Sequence, residues 1–200
     1  MARVATDGSA PSWDTLFELA SAQDGYVTNA QAAEAGYSLP LIHFYLKKGR
    51  LERARRGILR LVHYPPGDHE DLTVLWLWSD RQGVFSHETA LMLHDLSDAL
   101  PAKRHMSVPP AWSKRRLRLP EGLVLHIANV PKVATTWLGP VPLTTPLRTV
   151  VDCATSPVAE DLVRQATAQG IRRRLFTQAD VNAGLREALR DRDVANLRKP

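Results

Sequence analysis

Apolar positions in the first third of the chain recur at helical spacing three times before the pattern changes. Ser12 is placed to cap a helix that carries Trp13, Leu16, Phe17, Leu19 and Ala20 along one side and ends near Asp24-Gly25. Thr28 and Gln31 form a capping-box pair, so residues 29–35 make a second helix, which Gly36 stops. Ser38 and Pro40 open a third that ends at Gly49. Its stripe of Leu39, Ile42 and Leu46 faces the core, and Pro40, His43, Phe44 and Lys47 face solvent. After Gly49 the period shortens. Residues 51–54 and 58–62 are apolar-rich runs flanking Arg55-Arg56-Gly57, where glycine permits a hairpin turn. Tyr26 and Val27 supply a short strand to pair with this hairpin. The pattern is that of a winged helix-turn-helix.

Tyr64-Pro65-Pro66-Gly67-Asp68 breaks the pattern and sets the expected boundary. Residues 72–78, with Trp76 and Trp78, read as a buried helix, and residues 83–85 as an approach segment. Ser86 is placed to cap a helix with Ala90, Leu91, Leu93 and Leu96 on its apolar side, and Glu88 suits its first turn. From Pro101 the signal is β: residues 105–108, 123–128 and 130–138 are strand candidates. Thr145-Pro146 starts a helix; residues 157–168 form another that closes at Gln169-Gly170; Thr177 caps a last one over 178–190. The expected organisation is α+β: a flexible N-terminus (1–11), a winged helix-turn-helix (12–64), a mixed α/β domain (68–190) and a tail (191–200).

Charge sharpens this picture. The 200 residues carry a net charge of +5 and a sequence pI near 9.7, which favours acidic partners. Lys47, Lys48, Arg50, Arg53, Arg55, Arg56 and Arg60 cluster around the hairpin against Glu52 alone. The third helix is therefore expected in the major groove of double-stranded DNA, an operator. Ser38, His43, Phe44 and Lys47 contact bases or adjacent phosphate, Phe44 against a thymine methyl. Lys48 belongs to the same surface, and Arg53, Arg55, Arg56 and Arg60 position the wing on phosphates. Residues 114–118 and 172–174 are further basic patches. The lone Cys153, the lack of a spanning apolar run and the lack of a signal core in residues 1–10 lead to the expectation of a cytoplasmic protein with no membrane contact.

Catalytic chemistry finds little support. Ser86-His87-Glu88 are neighbours on a helix and point in different directions, whereas a triad needs convergence of distant residues. His87 and His94 are badly spaced as a metal pair, and nothing completes a zinc pattern around His63, Asp68 and His69. Cys153 sits in an apolar helical run, and no glycine-rich phosphate loop is present. A nuclease needs converging carboxylates, but residues 105–138 hold only Glu121. No catalytic residue, metal or cofactor is therefore assigned. A regulator whose second domain senses a ligand or partner is a further reading.

Three segments carry a family likeness: the winged stretch from Tyr26 to Val62 with its GRLERARRGILRL hairpin, VFSHETALMLHDLSDALP from Val84, and GPVPLTTPLRTVVDCA from Gly139. In their order and spacing the chain resembles the AbiEi-type antitoxins of bacterial type IV toxin–antitoxin systems. The resemblance implies a DNA-binding antitoxin that represses its own operon. It also implies a nucleotidyltransferase-like toxin, counteracted without a stable complex. One departure is Ile58-Leu59, where many relatives carry an aromatic residue after the wing glycine. Because many proteins with this domain pair lack a recognised toxin neighbour, a stand-alone winged-helix regulator is the alternative.

Overall fold

The computed structural model describes residues 10–197, with side chains through residue 190. Most of the expected flexible N-terminus and the last three tail residues lie outside that range. The fold is α+β, in two compact units. One comprises the described residues up to Gln82 with Gly139–Val141; the other comprises Gly83–Leu138 and the described residues from Pro142 on.

The first unit begins with α1 (Trp13–Ser21), capped by Ser12, whose hydroxyl accepts from Thr15 N. β1 (Tyr26–Thr28) leads into α2 (Asn29–Glu34), where the Thr28–Gln31 capping box is complete. α3 (Leu39–Lys47) follows, then β2 (Leu51–Arg55) and β3 (Ile58–Leu61). The strands make an antiparallel sheet in the order β1-β3-β2, with Val27 opposite Leu59 and Arg53 opposite Leu59 on the other side. The expected winged architecture is present, third strand included. Gly57 makes the β2–β3 turn at a φ of +82°, open to glycine and strained for other residues. Leu16, Val27, Tyr37, Ile42, Leu51 and Leu59 form the core of this unit. Beneath it Gln31 donates to Gln23 Oε1 at 2.9 Å while Gln23 donates to the Tyr26 carbonyl at 3.0 Å, so both buried amides are satisfied.

α4 (Glu70–Trp78) lies beyond the proline-rich breaker, yet it belongs to this first unit. Thr73 donates to Asp24 at 2.7 Å, and Glu70 receives Arg60. Side-chain contacts made across the breaker, not the breaker itself, set the limit of this unit.

In the second unit, β4 (Val84–Phe85) runs antiparallel to β5 (Arg104–Val108) and parallel to β8 (Val141–Thr144). β6 (Leu123–Ile127) lies parallel to β5, and β7 (Thr135–Leu138) closes the order β6-β5-β4-β8-β7. The expected approach segment is thus a central strand, too short to show a period. The helices are α5 (His87–Leu93), α6 (Pro146–Ala154), α7 (Glu160–Arg172) and α8 (Gln178–Leu197). α7 runs through Gly170 instead of closing there: the glycine keeps a helical φ, and its missing Cβ leaves room for the Phe176 ring. α8 continues to Leu197, past its expected end at residue 190. Leu91, Leu96, Val150, Cys153, Ala166 and Phe176 form the helical core.

Ser86 does not cap α5. It is extended, its hydroxyl accepts from Ser107 Oγ at 2.8 Å, and the chain reverses at His87 with a φ of +53°. His87 bridges Ser86 (2.9 Å) and Ser156 (3.1 Å) and stacks on His126 at 3.6 Å. His126 meets His105 at 3.0 Å, and His105 meets Glu88 at 3.4 Å. Ser86 and His87 therefore meet each other, contrary to the expectation that these neighbours point apart, because the positive φ of His87 turns its ring back, while Glu88 faces His105. Burial, then the neighbouring imidazoles, pushes His87 down to about 3 and His126 down to about 4.

Candidate nucleic-acid interface

α3 is held by its buried face and presents the rest. Ile42 is buried, and Leu41, Tyr45 and Leu46 are half-buried against the core. Leu39, assigned to the core stripe by its spacing, is instead 62% exposed. It occupies the first helical position, before the helix has turned onto the core. The outward surface of α3 thus runs from its first turn, Ser38, Leu39 and Pro40, through His43 and Phe44 to Lys47 and Lys48. The first turn is the part of a recognition helix that meets base edges.

The polar groups on that surface have defined roles. Ser38 Oγ accepts from Leu41 N at 3.4 Å, so it caps the helix. His43 Nδ1 lies 3.0 Å from the Leu39 carbonyl; a carbonyl only accepts, so Nδ1 carries the proton and Nε2 is left as an acceptor. An outward imidazole acceptor complements the exocyclic amino groups of adenine or cytosine. Phe44 is half-exposed, sits edge-on to Tyr45 with ring centroids 5.6 Å apart, and has Lys48 Nζ 5.7 Å from its ring. Lys47 is exposed.

On the wing, Arg53 and Arg56 are exposed and Arg55 is half-buried. Arg60 is different, and the expectation that it reaches phosphate is corrected here. Its side chain is 14% exposed, with Nη2 on Glu70 Oε1 at 3.1 Å and on the Tyr64 carbonyl at 3.0 Å. Nη1 reaches Glu52 at 3.3 Å, and the guanidinium lies over Tyr26 at 5.8 Å. Arg60 fastens the sheet to α4. It sits on β3, the strand flanked on both sides, so no edge of it faces outward. Burial, followed by Glu70, pushes the Tyr26 phenol up to about 12, as a closed, anionic neighbourhood requires.

The sequence reading passed over Leu39 as an exposed apolar contact and Arg50 as an anchored cation. Arg50 is exposed and lies beside the stacked Trp13–Tyr45 pair, 5.6 Å from the first ring and 5.9 Å from the second, which fixes a positive charge where the helix joins the wing. The signal for Arg50 was its place in the basic cluster. Nothing in the periodicity marked Leu39.

This arrangement has a known counterpart. Residues 14–62 match the family described as transcriptional regulator, AbiEi antitoxin. The match runs from Asp14 in α1 through the wing and holds every candidate DNA-contacting residue named above. Across 90% of the chain the fold is similar to the crystal structure of the RV2827C protein from Mycobacterium tuberculosis, at 19% identity, with a TM-score of 0.50 and coverage of 73% of that chain. No curated protein matches the sequence. Among the described residues no helix is long and apolar enough to cross a membrane.

Proposed function

We propose that the chain is a DNA-binding transcription regulator of the AbiEi antitoxin type. In this reading α3 enters the major groove of an operator, and Leu39, His43 and Phe44 meet base edges. Lys47, Lys48, Arg53, Arg55 and Arg56 take flanking phosphates. The observation that carries it is the continuous exposed surface from the first turn of α3 to Arg53 and Arg56, within the segment that matches the family. The finer reading is repression of its own operon and relief of a nucleotidyltransferase-like toxin encoded alongside, without a stable complex.

A mobility-shift titration on DNA from upstream of its own gene tests the interface. Arg55→Ala with Arg56→Ala weakens binding to all sequences and flattens the log–log salt slope by about two, one for each lost phosphate contact. Unchanged affinity and slope would remove the wing from the interface. Co-expression with the neighbouring gene, scored for growth, tests the antitoxin role. The family description names a transcriptional regulator as well as an antitoxin, so a stand-alone regulator is the second reading. Absence of a nucleotidyltransferase gene nearby selects that reading.

A further inference from the structure

We propose that the first unit carries a small-molecule site for an aromatic monocarboxylate, in a cavity of about 370 Å3 where α1 meets the base of the wing. The size is that of a compact ligand site. Trp13, Phe17, Leu61 and Tyr64 supply aromatic and aliphatic walls, Arg50 and His63 supply nitrogen, and no carboxylate lines it. The groups that hold the ligand are within its reach: Arg50 and His63 are exposed, Phe17 is 47% exposed, and Trp13 and Tyr64 are half-buried.

The walls are built before any ligand arrives. Tyr64 donates its hydroxyl to the Ser21 carbonyl at 3.3 Å, and its ring rests on Gly25, where a Cβ would stand 2.6 Å from Cδ1. Phe17 lies against Tyr64 with ring centroids 6.3 Å apart, and Trp13 is stacked on Tyr45 at 5.8 Å. An open phenyl ring beside fixed aromatic side chains is surface that a flat apolar ring covers well. Arg50 identifies the ligand's polar end. Its guanidinium has no hydrogen-bond acceptor and no ion-pair partner among the described residues, yet the Trp13 and Tyr45 rings beside it hold it in place. Its backbone is fixed as well, Arg50 N donating to the Tyr45 carbonyl and the Arg50 carbonyl accepting from Val62 N, each at 3.1 Å. A planar guanidinium so placed takes a carboxylate through paired N–H donors at little ordering cost. One fixed positive charge matches a monocarboxylate better than a phosphate dianion. The same charge turns away organic cations, which aromatic walls would otherwise attract. Duplex DNA has its bases stacked and offers no free ring to such a cavity.

The test is isothermal titration calorimetry of the full chain with naphthalene-2-carboxylate. Its controls are naphthalene-2-methanol, which keeps the rings without the charge, and cyclohexanecarboxylate, which keeps the charge without the aromatic rings. The naphthoate binds saturably, and each control binds at least about tenfold more weakly. Arg50→Gln lowers naphthoate affinity at least about tenfold through loss of the charge-assisted bonds. Phe17→Glu leaves Arg50 in place, sets a like charge in the cavity and abolishes binding. Both side chains are exposed, and thermal melts show that each variant is folded; should one fail to fold, the other decides. No naphthoate binding by the unaltered chain, equal binding of the alcohol, or binding that survives either substitution would each overturn the site. Absent naphthoate binding, together with a DNA salt slope lowered by about one in Arg50→Gln, would give the residue to the DNA interface instead.

Discussion

Arg60 and Arg56 are both wing arginines, and replacing each by alanine has opposite consequences. In Arg60→Ala, Glu70 loses two contacts at 3.1 and 3.3 Å, and the Tyr64 carbonyl loses its donor at 3.0 Å. Glu70 is only 29% exposed, so water replaces those bonds poorly, whereas Glu52 is 53% exposed and contributes little. A charge-assisted bond to a partly buried carboxylate is worth about 2 kcal/mol and the carbonyl bond about 1 kcal/mol, so the loss is about 3 kcal/mol. For a unit of this size that lowers Tm by more than about 10 °C. Arg56→Ala stays within about 0.5 kcal/mol, because its side chain is exposed. Calorimetry measures the first effect. DNA titration across salt, at a temperature where both variants are folded, measures the second: Arg56→Ala lowers the slope by about one and Arg60→Ala leaves it unchanged. An Arg60→Ala protein with native Tm and a reduced salt slope would refute the structural role given to Arg60.

Three other outcomes follow from the geometry. His43→Ala reduces the preference for operator over random DNA by about 1–3 kcal/mol through loss of the outward Nε2 acceptor; equal losses on both sequences would show that it reads no base. Acid should unfold the second unit early. His87 and His126 take up protons near pH 6.5 in the unfolded chain but only near pH 3 and pH 4 when folded, so stability is full above pH 6.5 and declines below it. Buried His87 gives up to about 1.4 kcal/mol per pH unit and the half-buried His126 adds less because solvent screens it, and a His87→Gln variant that unfolds with the same pH slope would contradict this origin. Gly170→Ala places a Cβ 2.1 Å from Phe176 Cζ, so it destabilises by about 1–3 kcal/mol despite alanine's better helix propensity; unchanged denaturant stability would refute the contact.

Much of the first unit is readable without coordinates because its instructions are local. Ser12, Thr28 with Gln31, Ser38 and Gly57 act on backbone groups within a few residues, and each does in the fold what its position announces. The basic cluster that marks the interface is equally local. What the chain alone left open depends on distant partners. Arg53, Arg56 and Arg60 are indistinguishable as letters, and only the fold places Glu70 and Tyr64 against the last of them. Leu39 keeps core spacing, yet the entry angle of α3 leaves it outside. β4 has two residues and no period, and becomes central because β5 and β8 flank it. Tertiary structure likewise assembles the cavity at Arg50 and the chain Glu88–His105–His126–His87–Ser156, whose members come from four separate stretches of sequence. Capping and turns are decided over about one helical turn, whereas burial and charge pairing are decided by whatever the fold brings within a few ångströms.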